Sequence, residues 1–297
     1  MLRDILAAVG VAHFAVAEAA PVDDGARSRY ERWIADGMNA GMDYMQRYAD
    51  VRSDPRRLLD GASSIIVCAF PYWHPDALRS RLVAAYALAT DYHEVVRSRL
   101  EEAAGSIRRA FGGATRVCVD TAPLRERYWA QRSGLGFIGR NGHLIIPGAG
   151  SYFFLGEILT TARLEPYSPG APRRCLGCGR CVKACPAGAL TGDGTVDARR
   201  CLSYLTIEHR GEFPDGTDLH GCLYGCDTCA RVCPHNAEPE VTTLPEFTPR
   251  PGVVGLTAER AAALTQEEFS GLFTHSAVKR AKLAGMRRNA LALLRRK

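Results

Sequence analysis

Apolar and polar positions alternate in ways that predict both helices and strands. From residue 1 to about 60, helix formers and Asp/Arg pairs, densest between Arg27 and Arg57, predict helix closed by Asp54-Pro55. Ser64-Ile-Ile-Val-Cys-Ala-Phe70 is short, β-rich and stopped by Pro71, and predicts a buried strand. Two amphipathic stretches, about 78–89 and 92–111, predict helices. Thr115–Asp120 predicts a second strand, and Thr121-Ala122-Pro123 opens a helix to about Ser133. The apolar runs His143–Ile146 and Tyr152–Leu159, joined by Pro147-Gly-Ala-Gly150, carry a hairpin signal.

Strands alternating with helices predict an α/β-layer domain over residues 1–165. The Pro-rich stretch 165–172 marks its end, a second unit extends over 166–240, and Pro239–Pro251 connects to two or three short helices over 256–297. The fold class expected is α+β: a layered domain, a small cysteine-rich domain, and a short helical segment over 241–297. No fixed-period repeat is present.

Length and composition fit this division. At 297 residues, the chain exceeds one typical domain. Its 46% hydrophobic and 24% charged fractions exclude disordered, collagen-like and coiled-coil classes. The net charge of +6 is local: Lys279–Lys297 holds eight Lys/Arg and no acid, and without those eight, 30 basic residues face 32 acidic ones. A basic end of this kind suits a polyanion. With no signal-peptide organisation and no apolar run of about 18 residues, the expected location is the cytoplasm, away from membranes.

Nine of eleven cysteines lie between Cys175 and Cys233, which in a cytosolic chain argues for metal rather than disulfides. Cys175-x2-Cys178-x2-Cys181-x3-Cys185-Pro186 has the bacterial ferredoxin spacing for a [4Fe–4S] cluster. A zinc ribbon would use two separated CxxC pairs, not three cysteines in seven residues. A second run, Cys226-x2-Cys229-x3-Cys233-Pro234, lacks one ligand, which either Cys201 or Cys222 would supply. In two-cluster ferredoxins the cysteine before each Pro serves the other cluster. One set is then Cys175, Cys178, Cys181 and Cys233; the other is Cys185, Cys226, Cys229 and Cys201 or Cys222. Two such clusters make an electron wire, which must end at something the rest of the chain holds.

Several further blocks carry a resemblance: Asp120-Thr-Ala-Pro-Leu-Arg-Glu-Arg, Ser133-Gly-Leu-Gly-Phe-Ile-Gly-Arg-Asn141, Gly150-Ser-Tyr-Phe-Phe-Leu-Gly-Glu157, Arg200-Cys-Leu-Ser-Tyr-Leu-Thr-Ile-Glu-His-Arg-Gly211 and Tyr224-Gly-Cys-Asp-Thr-Cys229. Together they resemble epoxyqueuosine reductase, from about Arg52 to Arg288. The resemblance implies a cobalamin-dependent enzyme with two [4Fe–4S] clusters, which completes queuosine in a tRNA anticodon loop. It implies that the 1–165 domain binds cobalamin, that Cys201 completes the second cluster, and that Asp120 is the proton donor. By themselves, Asp120-Thr-Ala-Pro residues read as a turn or helix cap. An Asp beside an apolar corrin face is expected to have a raised pKa.

The same resemblance places Arg52, Asp91, Tyr92, His93, Ser133, Gly134, Asn141, Ile145 and Ser151 with Asp120 around the cobalamin. Read alone, Asp91-Tyr-His93 equally starts a solvated helix, and lacks the glycine of the Asp-x-His-x-x-Gly ligand signature. Gly134-x-Gly136-x-x-Gly139 matches a dinucleotide fingerprint in letters, but no helix follows it; its glycines either admit a flat ligand or make turns.

The implied partners are a tRNA carrying epoxyqueuosine and an external low-potential electron donor, with the enzyme a monomer. Lys279, Arg280, Lys282, Arg287, Arg288 and 295–297 surround an apolar stripe at Leu283, Met286, Ala290 and Leu294, so the stripe would dock while the bases face phosphate. Tyr204, His209 and Arg210 are candidates for stacking a splayed base. The alternatives are a reductive-dehalogenase-like enzyme with the same cofactors and a plain electron-transfer protein, for which about 165 residues before the cysteines would be surplus.

Overall fold

The computed structural model describes residues 1–170 and 174–295. Ala171 and Pro172 of the predicted boundary, and Arg296 and Lys297 of the basic end, lie outside the described residues. Its centre is an antiparallel sheet of β1 (His13–Glu18), β2 (Ser64–Pro71), β6 (Phe153–Thr160) and β3 (Thr115–Cys118), in the order β1-β2-β6-β3. A separate hairpin pairs β4 (Phe137–Ile138) with β5 (Leu144–Ile145). β2 is buried along its whole length, which explains why its sequence is apolar throughout instead of alternating.

The long helix Tyr92–Phe111 covers one face of the sheet, sinking Val95, Val96, Leu100, Ala103, Ala104 and Ile107 against Ile66, Phe70 and Ile158. It comes so close that a Cβ at Gly156 would collide with Leu100 and Val96, so only glycine fits there. The other face carries Val67, Cys118, Leu155 and Leu159 and is covered by the helix Glu126–Arg132 through Trp129 and Ala130. Cys68 and Cys118 are fully buried among these apolar groups, as expected of small hydrophobes.

Four predicted elements differ. The first 60 residues are not all helix: the Ala-rich stretch His13–Glu18 is a strand, because β2 offers it an edge and Tyr167 bridges Val16 on its far side. The 78–89 stretch is two 3-10 turns, Pro75–Arg79 and Ala85–Ala87, whose backbone is drawn off to pair with Leu223 and Tyr224. The third helix starts at Glu126, not at Thr121, after a tight loop. The run His143–Ile146 pairs backwards with Phe137–Ile138, and Phe153–Thr160 inserts between β2 and β3, so the predicted hairpin is replaced by two separate pairings.

Beyond the sheet, the helices Ala258–Ala263, Gln266–Leu272 and Lys282–Leu294 share a core with Ala77, Val83, Leu88, Leu223 and Tyr224. Met286 and Ala290 of the predicted stripe are fully buried. The bases around it divide. Arg287 donates to the carbonyl of Leu264, and Arg288 to those of Leu205, His209 and Gly211, so both clasp neighbouring segments of the fold. Lys279, Lys282 and Arg295 stay exposed.

Candidate active site

The site begins where β3 ends. Asp120 follows the strand with φ +46°, a left-handed conformation that an Asp tolerates better than most residues. Its backbone N–H donates to Glu126 Oε1 at 2.6 Å, and this contact with the next helix holds the turn. The Asp120 carboxylate lies 2.9 Å through Oδ2 from His93 Nε2. His93 sits in the first turn of the long helix, whose N-cap is Asp91: Asp91 Oδ1 accepts from the His93 N–H at 3.0 Å and meets His93 Nδ1 at 2.7 Å. Asp91 is therefore both the predicted helix start and part of the site.

Both ring nitrogens of His93 face carboxylates. An ionised carboxylate only accepts, so both nitrogens must donate, and the ring is an imidazolium. Burial opposes this charge, but the hydrogen bonds and charges of Asp120 and Asp91 outweigh it and push His93 up to about 9. Asp120 moves the other way. Burial raises it, yet His93 and the Tyr92 hydroxyl hold it below its ordinary value, which corrects the expected upward shift. The proton of the pair rests on His93, one hydrogen bond from Asp120.

Behind Asp120 stands a second acidic group. Burial first, then the charge of Asp120, pushes Glu126 up to about 8. Glu157, on β6 in register with Cys118, is fully buried with neither carboxyl oxygen hydrogen-bonded; burial, then Glu126, raises it far above its ordinary value and keeps it neutral. Tyr92 stacks on Phe154, with centroids 4.3 Å apart, and on His93 at 4.1 Å. The Asp120 side chain is about half exposed, although burial is the largest influence on its carboxyl. Water therefore reaches the carboxylate while protein packs near it.

The cysteines fall into two groups. Cys175, Cys178, Cys181 and Cys233 line one cavity together with Gly139, Asn141 and Ile145. Cys185, Cys201, Cys226 and Cys229 lie near enough that the charges of the other three bear on Cys229. Cys222 lies beside this group, within hydrogen-bonding reach of Cys226. His143 Nε2 touches Cys229 Sγ at 3.6 Å and is held neutral, pulled down to about 4 by burial and by Arg127.

The other residues expected around a cofactor are scattered. Asn141 and Ile145 are buried beside the first cysteine cavity, with Asn141 donating to the Cys229 carbonyl. Ser151 is bonded to Asn236 through both its N–H and its hydroxyl. Ser133 spends its hydroxyl on the Ala130 carbonyl. Gly134, at φ +77°, makes a turn against Ser168, and a Cβ at Gly136 would strike the Ile145 carbonyl. Arg52 is buried with Nε unpartnered, a donor waiting for an acceptor. Amide-fringed corrin would offer such an acceptor, so this buried donor fits cobalamin. Sequence reasoning missed the roles of Glu126, which lies within the quoted Asp120 block, and of His143, which follows the Ser133–Asn141 block.

Known proteins match over nearly the whole chain. The family described as epoxyqueuosine reductase QueG, DUF1730, matches residues 52–121, and the 4Fe-4S double cluster binding domain matches 174–236. The epoxyqueuosine reductase of Gloeobacter violaceus is 38% identical, over 97% of this chain and 92% of its own. That of Cellulophaga algicola is 35% identical, over 88% and 87%. A crystal structure of epoxyqueuosine reductase with an epoxyqueuosine-modified tRNA-Tyr stem loop superposes with a TM-score of 0.89 at 31% identity, covering 99% of this chain and 80% of that one. In a Bacillus subtilis relative, with a TM-score of 0.87 and 29% identity, the catalytic aspartate loop is swung out of the active site; 99% of this chain and 80% of that one are covered. At 35% and 38% identity to epoxyqueuosine reductases along most of its length, and with the same overall fold, the chain belongs to the epoxyqueuosine reductase family.

Proposed function

We propose that this enzyme reduces epoxyqueuosine to queuosine in the anticodon loop of tRNA. The observation that carries the reading is the Asp91–His93–Asp120 relay, with its 2.7 and 2.9 Å contacts, on a chain that also presents two cysteine quartets. Removing an epoxide oxygen as water consumes two electrons and two protons and leaves a carbon–carbon double bond. The protons must reach an oxygen as it departs. Asp120 stands at the mouth of the relay as the ionised carboxylate: each proton passes from the His93 imidazolium through Asp120 to that oxygen, and solvent reprotonates the imidazole.

The cysteine sets Cys175, Cys178, Cys181, Cys233 and Cys185, Cys201, Cys226, Cys229 would hold two [4Fe–4S] clusters, fed by an external low-potential donor. Arg52, Asp91, Tyr92, His93, Ser133, Gly134, Asn141, Ile145 and Ser151 are the residues the family likeness assigns to cobalamin. When bound, cobalamin supplies reducing electrons at the substrate carbon. The chain's own part is to hold the proton on His93 beside Asp120. The reading includes a cytoplasmic monomer.

Anaerobic turnover of Asp120→Asn tests the acid role: a fall of roughly 100-fold or more is expected, and wild-type rates would show that the proton comes from elsewhere. Mass spectrometry of tRNA nucleosides from a deletion strain tests the substrate. Accumulated epoxyqueuosine supports the reading, and unchanged queuosine rejects it.

A further inference from the structure

The three residues expected to stack a base are already occupied. The Tyr204 hydroxyl accepts from the Gly41 N–H at 2.9 Å. His209 stacks on Phe213 and bonds the Glu212 carbonyl, and Arg210 donates to the carbonyls of Ile207 and Arg280. They pack the protein. A different pair has an open face. Tyr44, on the short helix Asp43–Arg47, is among the large hydrophobic side chains left exposed, at 38%. The Arg280 guanidinium lies 5.9 Å from the centre of its ring. Arg280 is fixed in orientation by a two-pronged bond to Glu208, at 2.9 and 2.8 Å, and remains half exposed.

This pair stands on the side of the reacting centre. Burial first, then the charge of Glu208, pushes the Tyr44 hydroxyl up to about 12, with Arg280, Asp120 and Arg52 also acting on it, and Arg280 is among the groups that act on Asp120. An exposed aromatic face backed by a guanidinium, with exposed Lys279 and Lys282 beside it, has the chemistry of a single-stranded nucleobase site.

We infer that Tyr44, with Arg280 locked behind it by Glu208, is the platform on which the base of the reacting nucleotide stacks while its modified ring reaches Asp120. This rests on the proposed tRNA reading and deepens it. Glu208 is then a positioning residue: it does not touch the base but holds the guanidinium still.

The test compares full-length variants by affinity for an epoxyqueuosine-bearing anticodon stem-loop RNA and by KM and kcat. Tyr44→Ala is expected to weaken binding and raise KM by about 5- to 100-fold, the range for losing one stacked base, with kcat nearly unchanged. Tyr44→Phe and Tyr44→Trp retain wild-type affinity. Glu208→Gln loses part of it, and Arg280→Ala most. Thermal unfolding of each variant separates a stacking role from a packing one: loss of affinity in Tyr44→Ala must exceed what its change in Tm accounts for. Affinity within twofold for Tyr44→Ala, or equal losses for Tyr44→Phe and Tyr44→Ala, would overturn the platform. If the wild type binds the stem-loop but never converts it, the proposed function fails, and the binding comparison still decides the platform.

Discussion

Replacing His93 by Gln removes the cation between Asp91 and Asp120 while keeping a side chain of similar reach. His93 titrates at about 9 in the folded protein against 6.5 as the ordinary value. That interval corresponds to a ceiling of about 3 kcal/mol, at roughly 1.4 kcal/mol per tenfold. The ring is 30% exposed and water screens the pair, so about 1–2 kcal/mol is the working figure. The sign follows from linkage. A group whose folded pKa is raised stabilises fully below its unfolded value, and the contribution fades as pH climbs through the folded value. Wild type should therefore exceed His93→Gln in stability by that amount below pH 6.5, with the difference gone above pH 9. Turnover adds a second reading. The wild-type alkaline limb is expected near pH 9, where His93 loses its proton. The variant must rely on carboxyl protons, so its limb moves to lower pH, and its rate at pH 7 falls about 100-fold, recovering in part towards pH 5.5. Stability measured by urea unfolding and anaerobic initial rates, each from pH 5.5 to 10, check both. A limb that stays near 9 with a constant wild-type-to-variant ratio would refute the relay.

Two other changes address the cysteines and the buried acid. Cys201→Ser should lower bound iron from about eight to about four atoms per chain, while Cys222→Ser leaves it near eight; iron assay after anaerobic reconstitution decides, and the reverse order would exchange their roles. Glu157→Gln keeps the shape of a carboxyl that burial holds neutral. Because its folded pKa lies above the unfolded one, wild type loses stability as pH rises past about 4.5. The variant should therefore gain Tm over wild type at pH 9 and match it near pH 4; a pH-independent difference would mean that Glu157 is not neutral in the fold.

How much of this was legible in the sequence depends on how local the cause was. β2 and the helix 92–111 were legible because their apolar spacing is set by burial on one element. β1 was not, since an Ala-rich stretch favours helix until a neighbouring strand offers hydrogen bonds. The 78–89 stretch failed for the same reason: Leu82 and Ala84 bond residues some 140 positions away. Within the site, Asp120 and the cysteines were marked by their motifs. The charge state of Asp120 was not, because it depends on His93, 27 residues earlier, arriving within 2.9 Å. Tyr44 and Arg280 lie 236 positions apart, and no spacing rule joins them. Arg287 and Arg288 look like phosphate ligands in sequence; only their distance from backbone carbonyls shows that they clasp the fold.

The seam between the 78–89 turns and the cysteine block has a kinetic meaning. Leu223 N–H meets Leu82 O at 2.8 Å, Ala84 N–H meets Tyr224 O at 2.9 Å, and Asp227 accepts from the Ala85 N–H at 2.7 Å. These ties lie immediately beside Cys222, Cys226 and Cys229, so the redox module cannot swing out to fetch electrons as a tethered carrier domain does. Under the proposed function, these ties would keep the tunnelling distances inside the protein constant, and timing would fall to the mobile reactants, the external donor and the RNA.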